Sequence, residues 1–524
     1  GALSGFGRPG ATDMSTLPKN AVIGVIGAGV MGGGIAQVAA GAGHTVLLFD
    51  ALPEAVARAR AAIDKDLQAG VARGKMAAED AQATLARILP AAELGELSRC
   101  ALVIEAIAED FEAKRALLAK LQQSVAADCI IATNTSSLSI TALAAGGAHP
   151  ERVVGMHFFN PPARMKLVEV VSGVETSPDV ARTVFATAEG WGKKAATAKC
   201  TPGFIVNRIA RPFYGEAWMV LSENAADAAT LDAIVRDCGG FPMGPFELMD
   251  LIGHDVNLKV TQSVFEATFG DRRYVPSLGQ QELVRAGRLG RKSGRGIYDF
   301  RDGAPKAKPK VEEGSDPARR VVAVGSLGLA TPIITRLERA GIDVVRVQGT
   351  GVAATAGWLE IGSARLMMSD GRPATRRAAE DGHEHLVLFD LALDYATTPR
   401  PGLATADQCG EAAFRTVCAT LTKAGFACSR MDDVAGMIVL RIIAMLVNEA
   451  ADAVAYGICT ADAIDDAMRY GVNYPRGPMA WAESVGLDFF ARVLAHLREH
   501  YGGERYRTSV LIQRRGWTRS GFRE

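Results

Sequence analysis

The feature of this 524-residue chain that most restricts its fold is an internal repeat. Gly203-Phe204-Ile205-Val206-Asn207-Arg208 returns 233 residues later as Gly436-Met437-Ile438-Val439-Leu440-Arg441, and the register then holds without a gap: Glu216 meets Glu449, Pro242 meets Pro475, Gly244-Pro245 meets Gly477-Pro478, and Gly253 meets Gly486. The module is duplicated. Upstream of its second copy, Arg320 to Val347 reads as strand, glycine turn, helix and strand, and Gly325 aligns with Gly27 at an offset of 298, so the middle segment is 65 residues shorter than its counterpart. Four modules, paired two and two, account for a length about three and a half times the common domain size of ~150 residues.

Hydrophobic residues make up 48% and charged residues 22%, which excludes a disordered chain and leaves ample surface for a core. With 58 basic and 58 acidic residues the formal charge is zero, so no global field recruits nucleic acid or an anionic membrane, and a polyanionic ligand needs a local site. Eight cysteines without a C-x-x-C pair indicate free thiols in a reducing compartment, expected to be the cytoplasm. Residues 1–13, followed by Met14, read as a tag remnant or flexible extension outside the fold. Ala21 to Gly43 is uncharged and long enough to span a bilayer, but Gly27, Gly29, Gly32, Gly33, Gly34, Gly41 and Gly43 follow a β-branched run (Val22, Ile23, Val25, Ile26). That is the pattern of a buried parallel strand turning into a helix, so no membrane span is expected.

Gly27-Ala28-Gly29-Val30-Met31-Gly32 is G-x-G-x-x-G between that strand and helix, and a second strand, Thr45 to Phe49, ends in Asp50. The first glycine allows the turn, the second admits a pyrophosphate to the backbone, and the third lets helix and strand pack closely, with the helix N-terminus favouring the phosphate charge. Asp50 suits a ribose diol. It also selects NAD over NADP, because a carboxylate repels a 2'-phosphate and Ala51 and Leu52, not Arg, come next. Two further strands, Ala101 to Ile107 and Cys129 to Thr133, lead to Glu109, Lys114, Asn134, Thr135, Ser136 and Ser137, where ligand groups of doubly wound folds lie.

A strand from Arg152 to Met156 runs into His157-Phe158-Phe159-Asn160-Pro161-Pro162, then Lys166-Leu167-Val168-Glu169-Val170-Val171. With Asn134-Thr135-Ser136-Ser137 and Thr201-Pro202-Gly203-Phe204-Ile205-Val206-Asn207-Arg208, these segments resemble the L-3-hydroxyacyl-CoA dehydrogenase family, whose motifs read NTSS, HFFNP, KLVEV and TPGFxxNR; the resemblance runs from about Val22 to Phe300. At full length, with its second helical repeat, the chain is most similar to the bacterial branch acting on 3-hydroxyadipyl-CoA in phenylacetate catabolism. The resemblance implies an α/β Rossmann domain with a doubly wound, mainly parallel sheet, an all-α 3-hydroxyacyl-CoA dehydrogenase C-terminal domain, and a degenerate copy of both. The expected boundaries are an extension at 1–17, a NAD-binding Rossmann domain at 18–199, a helical domain at 200–304, a linker rich in Pro and charge at 305–319, a degenerate Rossmann-like segment at 320–430, and a second helical domain at 431–524.

Oxidising a secondary alcohol with NAD needs a base for the hydroxyl proton, and histidine, which titrates near neutrality, suits that task. His157 is the candidate, and Glu169 can orient it if the chain turns back between them. The resemblance supplies that turn and pairs the two. It also implies that Ser136 and Asn207 hydrogen-bond the substrate oxygen, that Asn160 lies near the cofactor and catalytic centre, and that Lys292, in Gly290-Arg291-Lys292-Ser293-Gly294, sits in a loop near the cofactor. For the CoA phosphates Lys65, Arg73 and Lys75 on a helical arm from Ala55 to Leu89 are candidates, although basic residues on an amphipathic helix are usually its wet face. Arg164, Arg208 and Arg211 are candidates for a distal carboxylate. His496 and His500 are spaced for a metal but lack a third ligand, so a solvated helix face is expected and no metal site. In the middle segment Leu327 and Ala330 replace two glycines, Gln348 replaces the acid, Asp390 meets His157, Gly402 meets Glu169, and Leu440 meets Asn207; no second active site is expected. Family helical domains resemble dimerisation modules, so the two copies should pair within one chain about a pseudo-twofold, with a homodimer of such chains left open. The expected activity is NAD-dependent oxidation of an L-3-hydroxyacyl-CoA. The rivals are a dehydrogenase of a small free hydroxy acid and a non-catalytic protein retaining the fold, the latter disfavoured by the intact His157 and Glu169.

Overall fold

A computed structural model of the chain describes residues 16–351 and 356–523. Residues 1–15 of the expected extension lie outside the described residues. The chain divides into two compact units that are not consecutive in sequence: residues up to Arg208 together with Ala453–Val472, and Ile209–Asp452 together with the chain from Asn473.

The first unit holds strands β1 (Ile23–Ile26), β2 (Val46–Phe49), β3 (Ile88–Pro90), β4 (Leu102–Glu105), β5 (Ile130–Thr133), β6 (Val153–Phe158), β7 (Leu167–Ser172) and β8 (Lys194–Lys199), in the order β3-β2-β1-β4-β5-β6-β7-β8. β1 to β6 are parallel, the doubly wound arrangement of a dinucleotide-binding fold; β7 runs antiparallel to β6, and β8 parallel to β7. Its helices are α1 (Val30–Gly41), α2 (Pro53–Ala72), α3 (Ala78–Ala86), α4 (Phe111–Ser124), α5 (Ile140–Ala144), α6 (Pro178–Gly190) and α7 (Val206–Ile209). Strands covered on both faces read as nearly continuous apolar runs, and β1 and β5 are buried at every residue. The uncharged Ala21–Gly43 run is therefore β1 followed by α1, and no helix among the described residues is long and apolar enough to cross a membrane. The expected helical arm from Ala55 to Leu89 is corrected: it is two helices whose C-terminal end turns into β3, a sheet-edge strand too short to show a period.

The helix Ala461–Gly471 of the second helical copy belongs to this unit and packs on β7 and β8. Asp466 Oδ2 lies 3.3 Å from Lys194 Nζ, the Lys199 N–H donates to Ile458 O (2.9 Å), and Gly471 fits so tightly that a Cβ there would lie 2.6 Å from Leu167 Cδ2.

The second unit holds a seven-stranded sheet of β9 (Arg320–Val324), β10 (Asp343–Val347), β11 (Trp358–Ile361), β12 (Ala364–Met368), β13 (Leu386–Phe389), β14 (Gly402–Thr405) and β15 (Ser429–Arg430), ordered β10-β9-β11-β12-β13-β14-β15. β11 runs antiparallel to both β9 and β12 in the place that parallel β4 takes in the first sheet. A tight hairpin between β11 and β12 replaces the helical crossover that joins β4 to β5, and a connection too short to hold counterparts of α2, α3 and β3 joins β10 to β11; together they account for most of the 65-residue difference. The first copy's helix Ala228–Asp237, the repeat partner of Ala461–Gly471, packs on this sheet: Arg400 Nε is 2.9 Å from Asp237 Oδ2, and Gly402 has room for nothing larger beside Ile234. Each helical copy thus contributes this helix to the other copy's sheet. The expected linker is strapped down: the Lys310 N–H donates to Thr230 Oγ1 (2.9 Å), the Glu312 N–H to Cys428 O (2.8 Å) and the Ala318 N–H to Thr420 Oγ1 (2.9 Å).

Within this unit the helical copies meet through buried charges. Glu216 of the first copy accepts from Arg441 (2.9 Å), Arg505 (2.7 Å) and the Tyr506 hydroxyl (2.8 Å) of the second. Its repeat partner Glu449 accepts in return from Arg273 (3.3 Å) and the Tyr274 hydroxyl of the first. The exchange is reciprocal, as a pseudo-twofold requires. Glu216→Ala leaves the buried Arg441 and the half-buried Arg505 without this carboxylate and should lower the unfolding free energy by ~3–5 kcal/mol, measured by urea denaturation.

Candidate active site

The three glycines of the first turn have separate reasons. Gly27 adopts φ +96° and a Cβ there would lie 2.6 Å from Ala106 O; a Cβ on Gly32 would lie 1.7 Å from Gly27 O. Both hold the turn against the strand and helix. A Cβ on Gly29 would meet no atom within 4 Å, so open space faces the backbone where a pyrophosphate is expected. Gly29 is the N-cap of α1 and, among the described residues, no side chain caps it, which leaves the first-turn N–H groups of Val30, Met31 and Gly32 for an anion. At the end of β2, Asp50 Oδ2 accepts from the Ala28 N–H (2.7 Å) and Oδ1 from the Leu52 N–H (2.9 Å), which fixes the carboxylate beside the loop. These residues fit NAD.

Beyond β4 and β5 the polar residues form one network. Glu109 Oε1 accepts from the Thr135 hydroxyl (2.6 Å), the Ser136 N–H (3.0 Å) and the Ser137 N–H (3.2 Å), so it fixes the turn that presents Ser136. Burial pushes the Glu109 carboxyl up, but the Thr135 hydroxyl, the Lys114 ammonium and the Ser136 N–H outweigh it, and its pKa lies below the usual carboxylate value. Asn134 Oδ1 accepts from the Phe158 N–H (2.8 Å), tying this turn to β6. Lys114, expected among the ligand groups, is 1% exposed and reaches inward to both oxygens of Glu105 (2.9 and 2.8 Å) and to Ile107 O (3.2 Å), with Glu109 at 3.5 Å. Glu105 also accepts from the Thr133 hydroxyl. Sequence reasoning passed over Glu105; the signal was a lone acid closing an apolar strand with a lysine nine residues on.

His157 and Glu169 are opposed residues of the antiparallel β6–β7 pair. Their side chains therefore emerge on one face, and His157 Nδ1 lies 2.6 Å from Glu169 Oε2, with the two residues 6% and 1% exposed. A carboxylate only accepts, so Nδ1 carries the proton and Nε2 is left as the basic position. Glu169 Oε1 accepts from the Ile205 N–H (3.1 Å) and Val206 N–H (2.9 Å), which anchors the start of α7, the helix that carries Asn207. The rings of Phe159 and Phe204 flank the imidazole, with centroids 4.5 and 6.0 Å away. Ser136, His157, Glu169 and Asn207 all belong to the first unit.

The remaining candidates are more dispersed. Asn160 is exposed on the loop joining β6 to β7. Lys292 belongs to the second unit, where its ammonium pairs with Asp255 (2.6 Å) and its loop is held by Asp250, which accepts from the Ile297 and Tyr298 N–H groups (both 2.9 Å). Lys65, Arg73 and Lys75 are exposed, and Arg164 pairs with Asp66 at 3.2 Å. His496 Nδ1 donates to Asp370 O (2.8 Å), and no cluster of three or more metal-ligating side chains occurs among the described residues. In the second sheet Asp390, at the position of His157, is fully buried and accepts from the Ile438, Val439 and Leu440 N–H groups (3.1, 2.7 and 2.8 Å); burial pushes its pKa up to about 6.

The model of the family "3-hydroxyacyl-CoA dehydrogenase, NAD binding domain" matches residues 22–201, and that of its C-terminal domain matches both helical copies, 203–300 and 436–519. Between them a "3-hydroxybutyryl-CoA dehydrogenase reduced Rossmann-fold domain" matches 366–434. The chain belongs to the 3-hydroxyacyl-CoA dehydrogenase family. It is accordingly an NAD-dependent enzyme. Among its relatives, the 3-hydroxyadipyl-CoA dehydrogenase of Escherichia coli K12 is 42% identical over 500 residues, 95% of this chain and 98% of the relative, and a probable 3-hydroxybutyryl-CoA dehydrogenase of Deinococcus radiodurans is 42% identical over 53% of this chain. The crystal structure of 3-hydroxybutyryl-CoA dehydrogenase from Escherichia coli K12 superposes with a TM-score of 0.86 at 41% identity, covering 95% of this chain and 99% of that one.

The glycine geometry separates folding from cofactor binding in this dehydrogenase. Gly29→Ala should leave the melting temperature nearly unchanged yet weaken NADH at least ~10-fold in a fluorescence titration, because the added methyl occupies only the space facing the pyrophosphate. Gly32→Ala should cost stability as well, since its methyl overlaps Gly27 O.

Proposed function

We propose that His157 is the base that takes the hydroxyl proton of an L-3-hydroxyacyl-CoA, that Glu169 orients it and stabilises the imidazolium, and that Ser136 and Asn207 hold the substrate oxygen. The buried 2.6 Å contact between His157 Nδ1 and Glu169 Oε2 carries this reading, because it fixes the tautomer that leaves Nε2 basic. NAD, when bound, would supply the acceptor for the carbinol hydride. The loop Gly27–Gly32 and Asp50 would hold it, with Glu109 (Lys114 behind it), Asn134 and Asn160 shaping the nicotinamide end. In the reverse direction the same donors polarise the 3-oxo group. Glu109 supports Ser136 in this scheme, as Glu169 supports Asn207.

For the acyl chain we favour 3-hydroxyadipyl-CoA, and with it a place in phenylacetate catabolism, on the strength of the relative that shares this chain's full length. A reducing, cytoplasmic setting agrees with the eight free thiols. The discriminating measurement is NADH oxidation with acetoacetyl-CoA against 3-oxoadipyl-CoA. A kcat/KM at least ~10-fold higher for the dicarboxylic thioester supports the assignment, the reverse order moves the substrate to short monocarboxylic chains, and no turnover of any thioester defeats the reading. His157→Gln should lower kcat by ~10²–10⁴-fold with NADH affinity unchanged; retained turnover would remove the histidine from the reaction.

A further inference from the structure

Lys193 lies between α6 and β8, is 8% exposed, and has no carboxylate within ion-pair distance among the described residues. An ammonium buried in this way is costly, and burial pushes its pKa down to about 8. An apolar side chain of similar length would fill the space at less cost, so the charge calls for an explanation beyond packing. Its Nζ donates to two main-chain carbonyls, Pro162 O and Met165 O (2.8 Å), both on the loop that joins the His157 strand to the Glu169 strand.

The other side of that loop rests on the dinucleotide helix. Pro162 sits so close to Gly34 of α1 that a Cβ there would lie 2.8 Å from its ring. Arg164 reaches Asp66 of α2 (3.2 Å), which also accepts from Gln37 of α1 (3.0 Å), but that pair is largely exposed and weak. The loop carries Asn160 at its start. A buried charge on one side and the helix that opens the cofactor site on the other leave the loop one position.

We propose that Lys193 is a positioning residue that clamps the Asn160–Met165 loop onto α1, so that the cofactor helix and the strand bearing His157 keep a fixed relation. It touches neither substrate nor the reacting atoms. Charged hydrogen bonds to buried carbonyls are among the stronger ones in a fold, and their loss should be felt at the cofactor first.

The test compares Lys193→Met, Lys193→Gln and Lys193→Arg in the full-length enzyme. The expected result for Met is a rise of roughly 10-fold or more in the NADH dissociation constant and the NAD KM, a smaller fall in kcat, and recovery of part of the affinity in Arg, which keeps the charge. Faster hydrogen exchange at the Arg164 and Met165 amides, both bonded to Pro161 O, should accompany the loss. If Met does not fold, Gln is read in the same way. NADH affinity and kcat/KM within about twofold of wild type, with only the melting temperature lowered, would show that Lys193 merely fills the core. Failure of all three variants to fold would assign the residue to stability and overturn the proposal equally.

Discussion

The first unit of this enzyme depends on the two oxygens of one carboxylate. Glu169 Oε2 sets the tautomer of His157, and Oε1 takes the amides of Ile205 and Val206 where the sheet passes into the helical module. At 1% exposure neither oxygen has water to fall back on, so an error in either contact leaves a buried polar group unsatisfied. In the proposed mechanism chemistry and chain geometry therefore share a residue.

The second copy shows what happens when these duties are separated. Asp390 stands at the His157 position and reaches the equivalent amides, Ile438 and Val439, directly across from Gly402, which replaces Glu169. The anchoring of the helical turn is kept by a shorter acid on the neighbouring strand, and the imidazole is gone. Anchoring the turn is needed wherever this sheet meets this helix; a base is needed only where an alcohol is oxidised. The crowding of Ile234 against Gly402 shows that the room Glu169 takes in one sheet is taken by a packed helix in the other.

Much of this was legible in the residues. The glycine turn, the acid closing β2, the motifs around His157 and Asn207 and the gapless repeat all have local spacing that a linear reading detects. The failures share a cause. β3 is three residues long, too short to show a period, and directly follows a helix, so it reads as part of a helical arm; β11 pairs with strands on both sides that only the folded sheet brings together. Glu105, Lys114 and Lys193 look in sequence like any solvated charge; burial is conferred by strands far away in the chain. The exchange of helices Ala228–Asp237 and Ala461–Gly471 between sheets is a choice of partner, and both pairings present the same apolar face to the same kind of surface.

The reciprocal pairing of Glu216 and Glu449 has a consequence for how this chain can vary. In a pair of identical subunits every substitution is made twice, once on each side of the axis, so a residue tolerated at only one place cannot be changed at all. Here each side is written separately. The second copy puts Leu440 where the first has Asn207, and one dinucleotide turn keeps its glycines while the other holds Leu327 and Ala330. Fusion has released the two halves from symmetry, so one sheet can shed its ligand chemistry while its helices stay committed to supporting the other.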